Sequence, residues 1–171
     1  YALPDAKERL RLKADSPKNS RMGRAMISHL RGRALKGLNE PFDVTIAPHV
    51  KARLYPSQNR CEKRAFAGVQ VWDNAERTAL QNAVKDSRGE TFSFLDIGAN
   101  VGLYSLFVAS YCKAAQKNSD IIAIEPGLKM SQRLSDNISA SDARIQVIRA
   151  AVSDKPGTGT LGGGETNRGE A

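Results

Sequence analysis

The chain has 171 residues, 40% of them apolar and 26% charged, a size and balance that fit one ordinary globular domain and exclude two large domains, a collagen-like chain and a wholly disordered one. With 26 Lys and Arg against 18 Asp and Glu, the formal charge is +8. No apolar run reaches the roughly 18 residues of a membrane helix, and the charged opening Asp5 to Lys13 does not read as a signal peptide, so the cytoplasm is the expected location.

The charge is uneven: residues 1 to 64 hold 15 basic and 6 acidic side chains, and the remaining 107 hold 11 and 12. Three zones follow: a basic helical region over 1–40, short strands and a helix over 41–90, and an α/β core over 91–171. The basic front is either a solvated helix face, the commoner case, or a surface for nucleic acid, an anionic membrane or an acidic substrate. Residues 5–38 read as helical. Ser20 is placed to cap the longer piece, and Met22, Met26, Ile27, Leu30, Ala34 and Leu38 recur at spacings of three and four. Gly23, Gly32 and Gly37 each weaken a helix by about 1 kcal/mol, so this one needs a packing partner.

After Pro41 come two β-like runs, Phe42 to Ala47 and Val50 to Tyr55, separated by Pro48-His49, which read as a small hairpin or an edge-strand pair. His29 and His49 stand alone and read as surface or packing residues. Cys61 and Cys112 form no CxxC or metal-spaced pattern, so neither a disulfide framework nor a zinc site is expected. Asp73 or Asn74 caps a helix running to about Asp86, with Ala79, Leu80, Ala83 and Val84 facing inward.

From Thr91 the pattern changes. Phe92 to Ile97 reads as a buried parallel strand, Val101 to Cys112 as a helix buried over much of its surface, Ile121 to Ile124 as a second strand, Leu128 to Ser139 as a second helix and Ile145 to Val152 as a third strand. Such alternation predicts a doubly wound α/β sheet. Gly157 to Ala171, with six glycines, reads as a loop or a cut end.

The chemistry-bearing string is Asp96-Ile97-Gly98-Ala99-Asn100-Val101-Gly102, at the turn from the first core strand into its helix. Gly98 and Gly102 let the chain turn tightly and a ligand approach it, and the helix start offers free N–H groups. Glu125 ends the second strand, where a carboxylate can accept two hydrogen bonds from a ribose diol. Nicotinamide dinucleotides and S-adenosylmethionine both use an acid there. A dinucleotide loop needs G-x-G-x-x-G, but Asn100 stands where the middle glycine belongs. The extra carboxylate of Asp96 would repel a pyrophosphate and attract the ammonium of a methionine group. The blander alternatives are that Asp96 caps the next helix, that Glu125 is an exposed strand-end acid, and that Asp154, before Lys155-Pro156-Gly157, is ordinary turn chemistry. Tyr104 reads as core.

The strings Phe94-Leu95-Asp96-Ile97-Gly98-Ala99-Asn100-Val101-Gly102-Leu103-Tyr104-Ser105, Ala123-Ile124-Glu125-Pro126 and Ala150-Ala151-Val152-Ser153-Asp154 resemble the FkbM family of S-adenosylmethionine-dependent methyltransferases over about residues 92 to 161. The stretch Asn59 to Arg64 resembles the leader of bacterial members less specifically. The resemblance implies the cofactor-binding half of a Rossmann-like, doubly wound methyltransferase sheet, preceded by a basic helical and short β leader. It also implies that Asp96 with the Gly98–Asn100–Gly102 loop holds the methionine end, Glu125 the ribose hydroxyls, Pro126 a face of the adenine and Asp154 its amino group. The acceptor would be a hydroxyl on a small molecule or glycan. No general base is legible. The family brings a further acidic motif of Asp-x-Glu-Gly type on its fourth strand, and nothing after Val152 matches it. The start at Tyr1 and the 19 residues after Val152 carry the expectation of an excerpt cut short at its C-terminus, without most of its acceptor pocket. The rival readings are an NAD-dependent Rossmann oxidoreductase and a non-catalytic basic module for nucleic acid or anionic membrane.

Overall fold

A computed structural model describes residues 1–159. These divide into two units, one of Tyr1–Ile46 with Ala52–Asn74, the other of Ala47–Lys51 with the chain from Ala75 onward.

In the first unit, helices α1 (Asp5–Lys13) and α2 (Arg21–Leu35) pack against each other. The side chain of Ser20 caps α2 by accepting from the Gly23 N–H at 3.0 Å, as its position in the sequence predicts. The buried stripe of α2 is Gly23, Ile27 and Ala34. Met22 and Met26 are 80% and 53% exposed, so the predicted stripe is rotated. A Cβ on Gly23 would lie 2.0 Å from the Lys18 carbonyl oxygen, so the residue that reads as a weakness is a point of close approach to the turn before the helix. Strands β1 (Phe42–Ala47) and β2 (Val50–Leu54), whose connecting stretch Ala47–Lys51 is counted with the second unit, pair as a hairpin, one of the two forms their sequence allows, with Phe42, Val44, Ile46, Val50, Ala52 and Leu54 buried. His49 takes a positive φ of 59° in its turn. Asn59 caps α3 (Arg60–Phe66), whose charged sequence conceals the fully buried Glu62. That carboxylate accepts from the Tyr55 N–H. A 3-10 turn, Val69–Val71, leads to the buried Trp72.

In the second unit, α4 (Asn74–Asp86) buries Val84 and half-buries Leu80; the predicted inward residues Ala79 and Ala83 are exposed. Strands β3 (Thr91–Ile97), β4 (Asn118–Ile124) and β5 (Gln146–Ile148) form a parallel sheet in the order β3-β4-β5. The crossovers are α5 (Leu103–Ala114) and α6 (Leu128–Ser141). This is the predicted α/β class with a parallel sheet, its three strands in sequential order. Ile121 packs with Val84, Val108 and Cys112, while Ala123, two residues on, packs with Leu134. Both crossover helices therefore cover the same face. The opposite face carries Leu95 and Ile97 at 54% and 57% exposure, beside Ile122, Ile124 and Ile148 in register. Strand β3 is thus not the fully buried strand its apolar run suggests. Strand β5 also ends earlier than predicted, since Arg149 to Val152 are exposed and outside it. The predicted loop Gly157 to Ala171 lies outside the described residues beyond Gly159. No described helix is long and apolar enough to cross a membrane.

Candidate functional site

The carboxyl ends of β3 and β4 meet at the loop before α5. Gly98 and Ala99 both donate backbone N–H groups to the Ile124 carbonyl, at 2.9 and 3.0 Å, which folds the loop over the tip of β4. Gly98, Asn100 and Gly102 all have positive φ, at 76°, 53° and 83°. A Cβ on Gly98 would meet nothing within 4 Å, whereas one on Gly102 would lie 2.2 Å from Leu134 Cδ1. Gly98 leaves open space for a ligand, and Gly102 permits the packing of α6. Asparagine is among the residues that best tolerate the left-handed region, which accounts for Asn100 between the two glycines.

Glu125 follows β4 and is 6% exposed, which disposes of the exposed strand-end alternative. Its Oε2 accepts from the Asn100 N–H at 2.8 Å and its Oε1 from the Gly127 N–H at 2.9 Å. One carboxylate thus ties the loop after β3 to the loop after β4, with one donor on each oxygen and acceptor capacity to spare. Gly127, which the sequence reading missed, is needed for this: a Cβ there would stand 2.9 Å from Glu125 Oε1. The string Glu125-Pro126-Gly127 is its only signal.

Asp96, near the end of β3, is half-buried. Its Oδ2 accepts from both the backbone N–H of Ser105 at 3.2 Å and its hydroxyl at 2.6 Å. Asp96 therefore does cap the first turn of α5, yet both bonds fall on one oxygen and, among the described residues, Oδ1 has no partner. Ser105 is a second residue missed by the sequence reading. Burial raises the Asp96 pKa above its ordinary value, the two Ser105 hydrogen bonds pull it down, and the nearby Glu125 carboxylate pushes it up. Among the described residues no cation forms an ion pair with either carboxylate.

That environment has a sign that can be measured. With its native pKa raised, Asp96 holds its proton more tightly in the folded than in the unfolded chain, so its contribution to stability is lost as pH rises from the ordinary 3.8 through the native value. Asp96→Asn is expected to flatten this loss and to leave the protein more stable than the parent at about pH 7, measured as urea midpoints at acid and neutral pH. A variant less stable at neutral pH would contradict the assignment.

Pro126 and Asp154 line one open cavity of about 1140 Å³, together with Arg149 and the coil beyond it. Asp154 is exposed and accepts from its neighbour's Ser153 hydroxyl at 3.2 Å. The structure thus ties Glu125 by a hydrogen bond to the Gly98–Asn100–Gly102 loop, places Asp96 beside that loop bonded to Ser105, and sets Pro126 and Asp154 along another concavity. Tyr104 is half-buried on α5. No group of His, Cys, Asp and Glu able to hold a metal ion occurs among the described residues. Cys112 lies in the core, where burial raises its thiol pKa.

No family model matches the chain. It is 35% identical over 60 residues to the AMB antimetabolite synthetase AmbE of Pseudomonas aeruginosa, a match that spans 35% of this chain and 3% of that protein. Among solved structures it is similar to a SAM-dependent methyltransferase from Agrobacterium tumefaciens, at 18% identity and a TM-score of 0.45, over 68% of this chain and 34% of that one. It is also similar to a structure described as a putative protein-L-isoaspartate O-methyltransferase from Plasmodium falciparum in complex with S-adenosyl-L-homocysteine. That match has 16% identity and a TM-score of 0.37, over 84% of this chain and 61% of that one.

Proposed function

We propose that the loop system around Asp96 and Glu125 binds S-adenosylmethionine and that the chain carries the cofactor half of a methyltransferase acting on a hydroxyl of a small molecule or glycan. The observation that carries this reading is the Oδ1 of Asp96, unpartnered among the described residues, on a carboxylate that feels the charge of a second one and that no described cation pairs with. An ammonium relieves that repulsion and a pyrophosphate worsens it. The spare acceptor capacity of the buried Glu125 suits the two hydroxyls of a ribose. Gly98 leaves the open space that a ligand lying against the backbone needs.

In this reading Asp96 fixes the ammonium end and Glu125 the ribose, so the methyl donor is held in one orientation against the sheet edge. Pro126 offers an apolar face and Asp154 an acceptor for a base amino group along the cavity they line. When bound, the sulfonium supplies a methyl group already activated for displacement. What the protein adds is alignment of donor and acceptor, an effect that can reach roughly 7 to 11 kcal/mol.

Calorimetric titration with S-adenosylmethionine and, separately, with NAD tests the reading. Saturable heat with the sulfonium compound alone is expected, with the affinity reduced in Asp96→Asn. Binding of NAD in preference, or of neither compound to the folded protein, overturns it.

A further inference from the structure

The first unit holds a different kind of site. Helix α2 presents Arg24, Ile27 and Arg31 at spacings of three and four along one face. Arg64 comes from α3, and Val71 and Trp72 from the turn that follows it. Together with Gly68 these residues line a partly open cavity of about 240 Å³ with no acidic side chain in its wall. Gly68 has a φ of 91°, and a Cβ there would lie 2.4 Å from Ile27 Cγ2, so its lack of a side chain is what lets α2 close against the turn.

Two of the guanidinium groups are steered by the fold. Arg31 donates to the Ala67 carbonyl at 3.2 Å, and Arg24 donates to Asn19 Oδ1 at 2.9 Å. Among the described residues none of Arg24, Arg31 and Arg64 makes an ion pair. The Arg31 pKa is lowered first by burial and second by the charge of Arg64. Since an arginine does not lose its proton in a protein, such crowding is relieved by an anion. At about 30 Å³ per water the cavity displaces roughly eight waters, which is room for a phosphate and a small carbon group. Guanidinium forks match phosphate oxygens in pairs. The indole of Trp72 with Ile27 and Val71 gives the carbon part an apolar wall.

We propose that the cavity formed by Arg24, Arg31, Arg64 and Trp72 binds a phosphomonoester, with the three guanidinium groups on the phosphate and the indole wall against its carbon substituent. This site does not depend on the reading of the Asp96 and Glu125 loops.

Trp72 is the chain's only tryptophan, so its fluorescence reports on the cavity directly. The full chain is titrated at constant ionic strength with inorganic phosphate, phenyl phosphate and sodium chloride, and with phosphatidylcholine vesicles with and without phosphatidic acid. A saturable change is expected with both phosphates, tighter for phenyl phosphate, and absent with chloride. Arg64→Gln and Arg24→Gln change exposed residues, and circular dichroism checks that each folds. Each is expected to weaken phosphate binding about tenfold, the equivalent of one charge-assisted hydrogen bond. A response to phosphatidic acid vesicles that depends on Arg64 and exceeds that of the soluble esters identifies a lipid headgroup as the source of the phosphomonoester; a stronger response to the soluble esters identifies a free metabolite. Equal responses to phosphate and chloride, or phosphate binding unchanged in both folded variants, overturn the proposal.

Discussion

Replacing Glu125 with alanine is expected to lower the stability of the second unit and to weaken S-adenosylmethionine binding at the same time. The carboxylate is 6% exposed and accepts from Asn100 and Gly127, one donor on each oxygen. Removing it orphans both N–H groups, at about 1–3 kcal/mol each when water cannot reach them. The two loops lie at the end of the sheet, where water can replace part of what is lost, so the stability deficit should fall near about 2 kcal/mol. On the binding side, the loss of hydrogen bonds to a charged group predicts about 1.5 to 3 kcal/mol, or roughly tenfold to hundredfold in affinity. Urea midpoints give the first quantity and calorimetric titration the second. Glu125→Gln separates them, because its amide oxygen still accepts from one loop while its NH2 faces the donor of the other. Unchanged affinity in a folded Glu125→Ala protein would remove Glu125 from the binding site and leave it a purely structural tie.

Period and punctuation account for what the sequence made legible. The alternation Phe42-Asp43-Val44-Thr45-Ile46 marks β1, and the cap residue Ser20 stands where its side chain accepts from the first turn of α2. The motif acids Asp96 and Glu125 could be placed because a strand that ends at a glycine turn delivers its last side chains to the carboxyl edge of the sheet. What failed was the choice of face. Apolar spacing says which residues could meet a core, not which of them find a neighbour, so Met22, Met26, Ala79 and Ala83 read as inward although they face water. Leu95 and Ile97 misled for the same reason: an apolar run looks identical whether one face of the sheet is covered or both. The polar residues Asn118, Ser119 and Asp120 at the start of β4 gave no β signal at all, and backbone pairing with β3 decided their conformation. At the site, Ser105 and Gly127 act through a hydrogen bond and a close approach, which depend on contacts across nine residues and two. Neither contact has a periodic signature.

Charge was the other blind spot, and Arg11 shows its size. Within the basic front third of the chain an arginine reads as one more solvated cation, yet Arg11 is 1% exposed. Its Nε and Nη2 donate to the two oxygens of Glu8 at 2.7 and 2.6 Å, its Nη2 also to the Thr45 carbonyl at 3.1 Å, and its Nη1 to the Phe66 carbonyl at 3.2 Å. Asp15, 3.8 Å away, in turn accepts from the N–H groups of Gly68 and Val69. One guanidinium thus ties α1 to the hairpin and to the end of α3. Arg11→Met keeps the volume and removes every one of these donors. Truncating one partner of a buried ion pair costs about 3–5 kcal/mol. Glu8 is 34% exposed and can turn toward water, which places the expected loss near the lower end. Even so it is a large share of a marginal fold stability of about 5–15 kcal/mol. The deficit should also depend on pH. Burial raises the Asp15 pKa, and hydrogen bonds from Gly68 and Val69 and the charge of Arg11 pull it down. Without Arg11 the native pKa rises further, so the folded chain holds the proton more tightly and loses more stability as pH climbs from 3.8. The variant should therefore trail the parent more at neutral than at acid pH in urea denaturation. A deficit under about 1 kcal/mol at neutral pH would be that of an exposed pair and would refute the buried tie.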